Sequence, residues 1–479
     1  MRFMDKDLEK FLTYLSFKMD TLREQEENPL TLDVSRCEEH LEVLGAMKEE
    51  KVRALKKAMP KKANTKKKDK PKVLFKADGS LSVHGERWYE LLRELKLPTD
   101  VETLTYVDSY EDGNPDSHVQ IKEWFFGLGW KPRTFKYDRD KVTGEEKKIP
   151  QVRKDGLLCD SVRVLVSKDP AIELYDGLSV ISHRIGVLKG FMNAQKDGKV
   201  VAGASGFTNT LRLKHRAPVV NLPSVDATYG EWCRDVLVPE EGRIFIGADV
   251  TSLEDTLKQH YIYPHDPAFV EEMNTEGFDP HLTLAVLADA ITEEDYQFYI
   301  NYNGGDDSRH KGIKSVRQPF KVVNYSAQYQ VGKKTLARNS GMSEKEAQKL
   351  LDTYWEKNWA IVTVSKEQYI RTLRDGSMYL KNPINGFYYS LRNDKDIFST
   401  LNQGSGDYVF NVWLMFCRKM GIKVHMNYHD EWLTSVPQDN AQEAYDISEK
   451  AMVKVNEALK LNKTVTADAQ AGYSYAECH

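Results

Sequence analysis

No run of apolar residues approaches the ~20 needed to cross a bilayer, and the opening MRFMDKDLEKF lacks the apolar stretch of a secretory leader. The expected location is therefore the cytosol, with no membrane partner. Cysteine is scarce: Cys37, Cys159, Cys233, Cys417 and Cys478 lie far apart and form no CxxC pair, which argues against a zinc knuckle or a dithiol redox site. Five reduced thiols are expected. Net charge is also small, only -4 over 479 residues, so composition gives no hint of a polyanionic partner. No internal repeat is present. What remains is a globular balance of 41% hydrophobic, 29% charged and 10% aromatic residues, enough to build sizeable cores. The length suggests about three lobes or one large multi-lobed enzyme.

Charge is unevenly spread. Between Lys51 and Lys76 there are twelve Lys or Arg residues and a single acid, Asp69. Such a block repels itself and stays extended unless it meets a phosphate backbone. A solvated basic loop between helices fits the composition equally well. Before this block, apolar residues recur at helical spacing from Asp7 to about Met59, with NPLTLDVS supplying a break and a new cap. After it, Trp88 to Leu97 and Val119 to Leu128 read as short helices. From near Gly206 the texture changes, and both APVVNLPSV and GRIFIGADV read as strands. Helical periodicity resumes from about Leu253 to Leu373, interrupted by the polar NYNGGDDSRHKG, and IKVHMNYHDEWLTSVP has the pattern of a hairpin.

Two acids stand where a sheet would expose them. Asp249 ends the apolar run RIFIGA, and Asp430 sits at the hairpin centre between His429 and Glu431. A lone Asp after a strand is usually a turn or cap residue. If the two strands are neighbours, however, the pair could hold two Mg²⁺ ions ~3.5–4 Å apart, as in-line phosphoryl transfer requires. A third group is a stripe. Arg317, Lys321, Tyr325 and Tyr329 are spaced four apart, so on a helix they share one face. The cations suit a triphosphate and the rings suit a base; an amphipathic helix with snorkelling cations accounts for the stripe equally well.

Taken in order, these pieces resemble motifs A, B and C of family A DNA polymerases, the family of bacterial DNA polymerase I and many phage replicative polymerases. Motif A is matched by Asp249-Val-Thr-Ser-Leu-Glu254, motif B by Arg317, Lys321, Tyr325 and Tyr329, and motif C by His429-Asp430-Glu431. Supporting matches include LGWKP from Leu128 to Pro132, Thr210-Leu-Arg212, Asn221-Leu-Pro223, Asp279-Pro-His281, Gln403-Gly404 and Cys478-His479, several of them closest to the phage branch. The resemblance runs from about residue 120 to the end; the helical arm before it fits a thumb more loosely.

The resemblance implies an α+β right-hand polymerase fold. The expected divisions are a thumb over 1–125 carrying a basic loop at 51–76, a palm with an antiparallel sheet over 126–254 and 385–479, and helical fingers over 255–384. The implied activity is DNA-templated addition of dNTPs to a primer 3′-hydroxyl, with two Mg²⁺ ions as cofactors and pyrophosphate as product. Asp249, Asp430 and the Val250 carbonyl would ligate the metals, and Glu431 would be a nearby outer-sphere acid. His281, Arg317 and Lys321 would neutralise the triphosphate, and Tyr325 would stack on the incoming base. Glu254 would exclude a ribose 2′-hydroxyl. Arg212, Gln403, Tyr329 and His429 would meet the primer–template, and Lys61, Lys62, Lys66, Lys67, Lys68 and Lys70 would follow the duplex backbone.

Departures accompany the matches. Leu211 and Gln330 stand where the family has Gly, and Asp255-Thr256 replaces Leu-Arg. Pro319 disfavours helix at Gln318, which predicts a distorted first turn for Arg317. The 35 residues between His281 and Arg317 suggest an inserted element around 301–312. No proofreading domain fits before residue 60, because the early D-x-E, Asp7-Leu-Glu9, lies in a helical pattern; a separate exonuclease chain or a processivity factor is a compatible partner. Competing readings are a single-subunit RNA polymerase, against which Glu254 and Glu431 argue, and a polymerase-shaped DNA-binding subunit that has lost catalysis. If the chain is phage-encoded, its location is the host cytoplasm.

Overall fold

In the computed structural model, which describes residues 6–140, 142–154, 156–305 and 307–478, helix α1 spans Lys6–Glu27 and α2 spans Val34–Ala58. The chain divides into two compact units, one made of residues 1–42 and 184–479, the other of 43–183. The cuts fall inside helices, not near residue 125.

In the smaller unit the basic segment is not a loop. Its first residues complete α2, and Lys62–Asp69 form strand β1. β1 pairs antiparallel with β2, Thr103–Glu111, in a register that sets Lys62 opposite Glu111 and Lys68 opposite Leu104. The like charges are tolerated because the partner strand supplies acids: Lys62 meets Glu111 at 3.1 Å and Lys66 meets Asp108 at 2.7 Å, while Lys70 just beyond the strand meets Glu102 at 2.9 Å. Leu104 turns inward onto Trp88, Leu91 and Leu92 of α3, Val83–Glu94, whose N-terminus is capped by Ser82. Helix α4, His118–Gly127, buries Ile121, Trp124 and Phe125 among Leu55, Trp130, Val162 and Tyr175. Both helices fall close to their expected positions.

The larger unit is organised by a four-stranded antiparallel sheet. Strand β3, Arg243–Val250, lies between β5, Glu431–Pro437, and β6, Ala467–Gly472, with β4, Met426–Tyr428, at the far side of β5. Helices α8, Ile397–Lys419, and α9, Ala441–Leu459, together with α1 pack on it, closing a core that includes Tyr14, Ile246, Ala248, Trp413, Trp432 and Val455. Each fully buried aliphatic or aromatic side chain of this kind contributes about 1.5–3 kcal/mol. The run APVVNLPSV is a series of turns rather than a strand: Pro218 and Pro223 carry no N–H for a ladder, and Asn221 has φ +51°.

Between β3 and α8 lies a helical region. It includes α5, Leu253–Ile262, α6, Pro280–Leu287, and α7, Ser308–Gln328. Arg317 does not stand in a first turn: α7 is capped by Asp307, whose side chain accepts from the Arg309 and His310 N–H groups, and it continues through Pro319 to Gln328. Part of the supposed insertion is therefore the first turn of this helix; Asp306 lies outside the described residues. Phe320, Val323 and Ala327 of α7 pack with Leu284 and Ala285 of α6. Among the described residues no helix is long and apolar enough to cross a membrane.

Candidate active site

Strand register brings the two motif aspartates together. β4 and β5 are joined by the two-residue loop His429–Asp430, with Tyr428 opposite Glu431, and His429 takes φ +60°, the left-handed conformation that tight hairpins need at this position. Glu431 is in turn opposite Asp249, and the Val250 N–H donates to the Asp430 carbonyl at 3.2 Å. The Asp249 carboxyl is held above its ordinary value, first by partial burial and then by the charges of Asp430 and Asp468. Among the described residues neither Asp249 nor Asp430 has an ion-pair partner.

Asp468 was not apparent from the sequence. It stands directly opposite Asp249 on β6 and accepts from Thr251 Oγ1 at 3.0 Å. Glu431, Asp249 and Asp468 thus form one row across three strands. An acid in the alternating run ADAQAG is the only sequence signal for Asp468, and the register that aims it at Asp249 is tertiary information.

Glu431, expected as a nearby outer-sphere acid, is buried. It is only 7% exposed, and burial pushes its carboxyl up to about 8, with Tyr475 and Arg234 opposing and Asp249 and Asp430 reinforcing the shift. Tyr475 donates to Glu431 Oε2 at 3.0 Å. At pH 7 the group is mainly a neutral acid. Because its folded value lies above the ordinary 4.5, the stability it contributes is complete below about pH 4.5 and is lost as pH rises to about 8. In EDTA, the melting temperature of Glu431→Gln should therefore gain on that of the native chain between pH 5 and 8. A pH-independent difference would remove the burial account.

The motif B stripe lies on one face of α7. Arg317 and Lys321 are half-buried and Tyr325 is exposed, opposite the buried Phe320, Val323 and Ala327, while Tyr329 forms the helix C-cap. Arg317 Nε donates to Asp279 Oδ2 at 2.6 Å, and Asp279 Oδ1 caps α6 by accepting from the His281 and Leu282 N–H groups. The His281 ring lies 5.5 Å from that of Tyr325. Burial lowers its basicity to about 4, with Arg317, Lys321 and Lys258 adding to the effect and Asp279 opposing it. In the protein alone this imidazole is neutral at pH 7, so it offers a hydrogen bond rather than the charge expected of it.

Glu254 is held from two sides: Arg212 donates to Oε1 and the Tyr329 hydroxyl to Oε2, each at 2.8 Å. Gln403 hydrogen-bonds Tyr329, and the Asn402 amide donates to the Glu254 carbonyl. The two missing glycines are conformationally replaced, with Leu211 at φ +67° and Gln330 at +52°. His429 is packed by the rings of Tyr428 and His215, and its N–H donates to His215 Nε2 at 3.3 Å. The terminal Cys478 packs beneath Gly247, where an added Cβ would come within 2.8 Å of the cysteine's own; its expected companion His479 lies outside the described residues.

Two carboxylates on neighbouring elements of an antiparallel sheet, in a chain that also carries a helix with a cation–aromatic stripe, fit a nucleotidyl-transfer class of site. The model of DNA polymerase family A matches residues 169–477, and the chain belongs to that family. It is 25% identical over 301 residues to DNA polymerase I of Streptococcus pneumoniae R6, covering 59% of this chain and 32% of that protein. DNA polymerase I of Borreliella burgdorferi is 22% identical over 275 residues, covering 54% and 28%. The chain thus spans about a third of the length of these curated relatives. Among solved structures, the polymerase domain of Pol1 from M. smegmatis, in complex with DNA primer-template and dNTP, shares the fold at a TM-score of 0.65. That match has 16% identity and covers 96% of this chain and 69% of that one.

Family A polymerases generally use divalent metal ions. Among the described residues no three His, Cys, Asp or Glu side chains are arranged to hold a metal by themselves. Mg²⁺ is usually bound by one or two carboxylates together with substrate phosphates, and the hard oxygen donors of Asp249 and Asp430 fit an ion of that kind.

Proposed function

We propose that this chain is a DNA-directed DNA polymerase that extends a primer 3′-hydroxyl on a template with dNTPs and releases pyrophosphate. The observation that carries this reading is the register joining Asp249 to the Asp430 hairpin, on a chain that also presents Arg317, Lys321 and Tyr325 on one helix face. Asp249, Asp430 and the Val250 carbonyl would hold two Mg²⁺ ions, which when bound lower the barrier to attack by the hydroxyl and offset charge on the triphosphate. Arg317 and Lys321 bind the triphosphate and stabilise the charge that moves onto pyrophosphate; Arg317 exchanges Asp279 for phosphate in doing so. His281 donates a hydrogen bond to the same group, and Tyr325 supplies a face for the incoming base. Arg212, Gln403, Tyr329 and His429 contact primer–template. In the right-hand division, α1 packs with the palm of 126–254 and 385–479, the fingers are 255–384, and the thumb is the rest of 1–125.

Glu254 sets sugar choice. Pinned by Arg212 and Tyr329, it cannot swing aside for a 2′-hydroxyl. Incorporation of a single dNTP and its matching NTP on a primed template tests activity and selection together. The native chain should strongly prefer the dNTP, and Glu254→Ala should raise relative NTP use about 10-fold or more, the cost of removing one well-placed steric and polar group. Preferential NTP use by the native chain would instead support an RNA polymerase, and no incorporation at all a non-catalytic binding subunit.

A further inference from the structure

Lys18 lies on α1, 194 residues before Arg212, yet only 2% of it is exposed. Its ammonium has three protons and finds three acceptors: Asp407 Oδ1 at 2.8 Å, Asp407 Oδ2 at 2.7 Å and the Leu211 carbonyl at 2.8 Å. Asp407, 6% exposed on α8, is itself fixed by the Tyr14 hydroxyl, which donates to Oδ2 at 2.6 Å. Among the described residues no hydrogen bond or ion pair joins this cluster to Asp249 or Asp430. What it grips is the backbone of Leu211, a residue held at φ +67°, where a side chain disfavours the conformation. The same loop is closed by the Leu211 N–H donating to the Thr208 carbonyl at 3.1 Å and the Thr208 N–H to the Arg212 carbonyl at 2.8 Å. The next side chain along, Arg212, is the one that reaches Glu254 Oε1.

We infer that Lys18, braced by Asp407, is a positioning residue for sugar selection: it clamps the left-handed Leu211 and thereby aims Arg212 at Glu254. Any buried ammonium needs a third acceptor for its last proton; what sets Lys18 apart is which acceptor it takes. Here the remaining proton is directed at the carbonyl of Leu211, a residue in the unfavourable conformation, and the amine is buried, so water cannot substitute for it. The inference rests on the proposed role of Glu254, and its test separates the two.

The measurement is the ratio of specificity constants for a dNTP and its matching NTP, in which a loss of folded fraction cancels. Lys18→Met should lower the ratio about 10-fold, in keeping with the sensitivity of reacting geometry to sub-ångström displacement. Adding Leu211→Gly should restore most of it, because glycine takes φ +67° without a clamp. If Lys18→Met does not fold with Asp407 left unpaired, Lys18→Met/Asp407→Asn removes both charges and should give the same loss. A native ratio in these variants while Glu254→Ala relaxes selection overturns the inference. Should Glu254→Ala leave the ratio unchanged, the sugar-selection reading fails, and hydrogen exchange then decides whether Lys18 clamps the loop. Acceleration in 208–213 beyond that in β3 supports the clamp; uniform acceleration refutes it.

Discussion

Asp249→Ala and Asp430→Ala are each expected to lower the rate of nucleotide addition by at least about 10³-fold while primer–template affinity stays within a few-fold of native. The rate estimate follows from the roughly 2.7–4 kcal/mol cost of removing even one preorganised electrostatic interaction with a transition state; a directly ligated divalent ion supplies more. Affinity should survive because the cost is local. Asp249 carries like-charge strain from Asp430 and Asp468, so its removal relieves repulsion instead of breaking an internal pair. Single-turnover extension in Mg²⁺, alongside a fluorescence-anisotropy titration with the same DNA, separates the two quantities. Near-native extension by either folded variant would mean that the metal-binding pair lies elsewhere.

A large effect of a different kind is expected from the hairpin β1–β2. Sequence alone treats Lys61, Lys62, Lys66, Lys67, Lys68 and Lys70 as equivalent, but the structure does not. Lys62, Lys66 and Lys70 already face Glu111, Asp108 and Glu102, whereas Lys61, Lys67 and Lys68 have no acid partner among the described residues. Exposed pairs of this sort add little to stability, yet each lowers the charge offered to a phosphate. Changing Lys61, Lys67 and Lys68 to Ser should flatten the slope of log affinity against log salt by roughly 2.7, at about 0.9 for each phosphate no longer neutralised. The fall in DNA affinity between 50 and 200 mM salt should then shrink by on the order of 40-fold. The same change at Lys62, Lys66 and Lys70 should have a smaller effect. Equal slopes in all three proteins would assign the hairpin to solvent or to a protein partner.

Much of the site could be read before any tertiary information. Asp249 at the end of an apolar strand, Asp430 in a hairpin turn and a stripe repeating every four residues are local patterns. Local patterns persist because side-chain direction follows backbone period. β3, the β4–β5 hairpin, α3 and α4 were legible for the same reason. The errors arose where a local signal met a stronger nonlocal one. Pro319 does not break α7, because Val316 before it and Phe320, Val323 and Ala327 after it pack into the core shared with α6. The lysine block is a paired strand rather than a loop because an acidic strand 41 residues further on supplies its partners. Conversely, APVVNLPSV has strand-like side chains but lacks the amide donors to join a sheet.

The sequence by itself determined the family and the motif residues that carry the resemblance, since these depend on residue identity at short spacing. Tertiary structure alone decided the protonation of Glu431 and His281, the row that adds Asp468 to Asp249, and the hydrogen bond from Lys18 to the loop before Arg212. Each of these depends on burial or on strand register between segments tens to hundreds of residues apart, and a carboxyl or imidazole responds to the solvent and charges around it rather than to its neighbours along the chain.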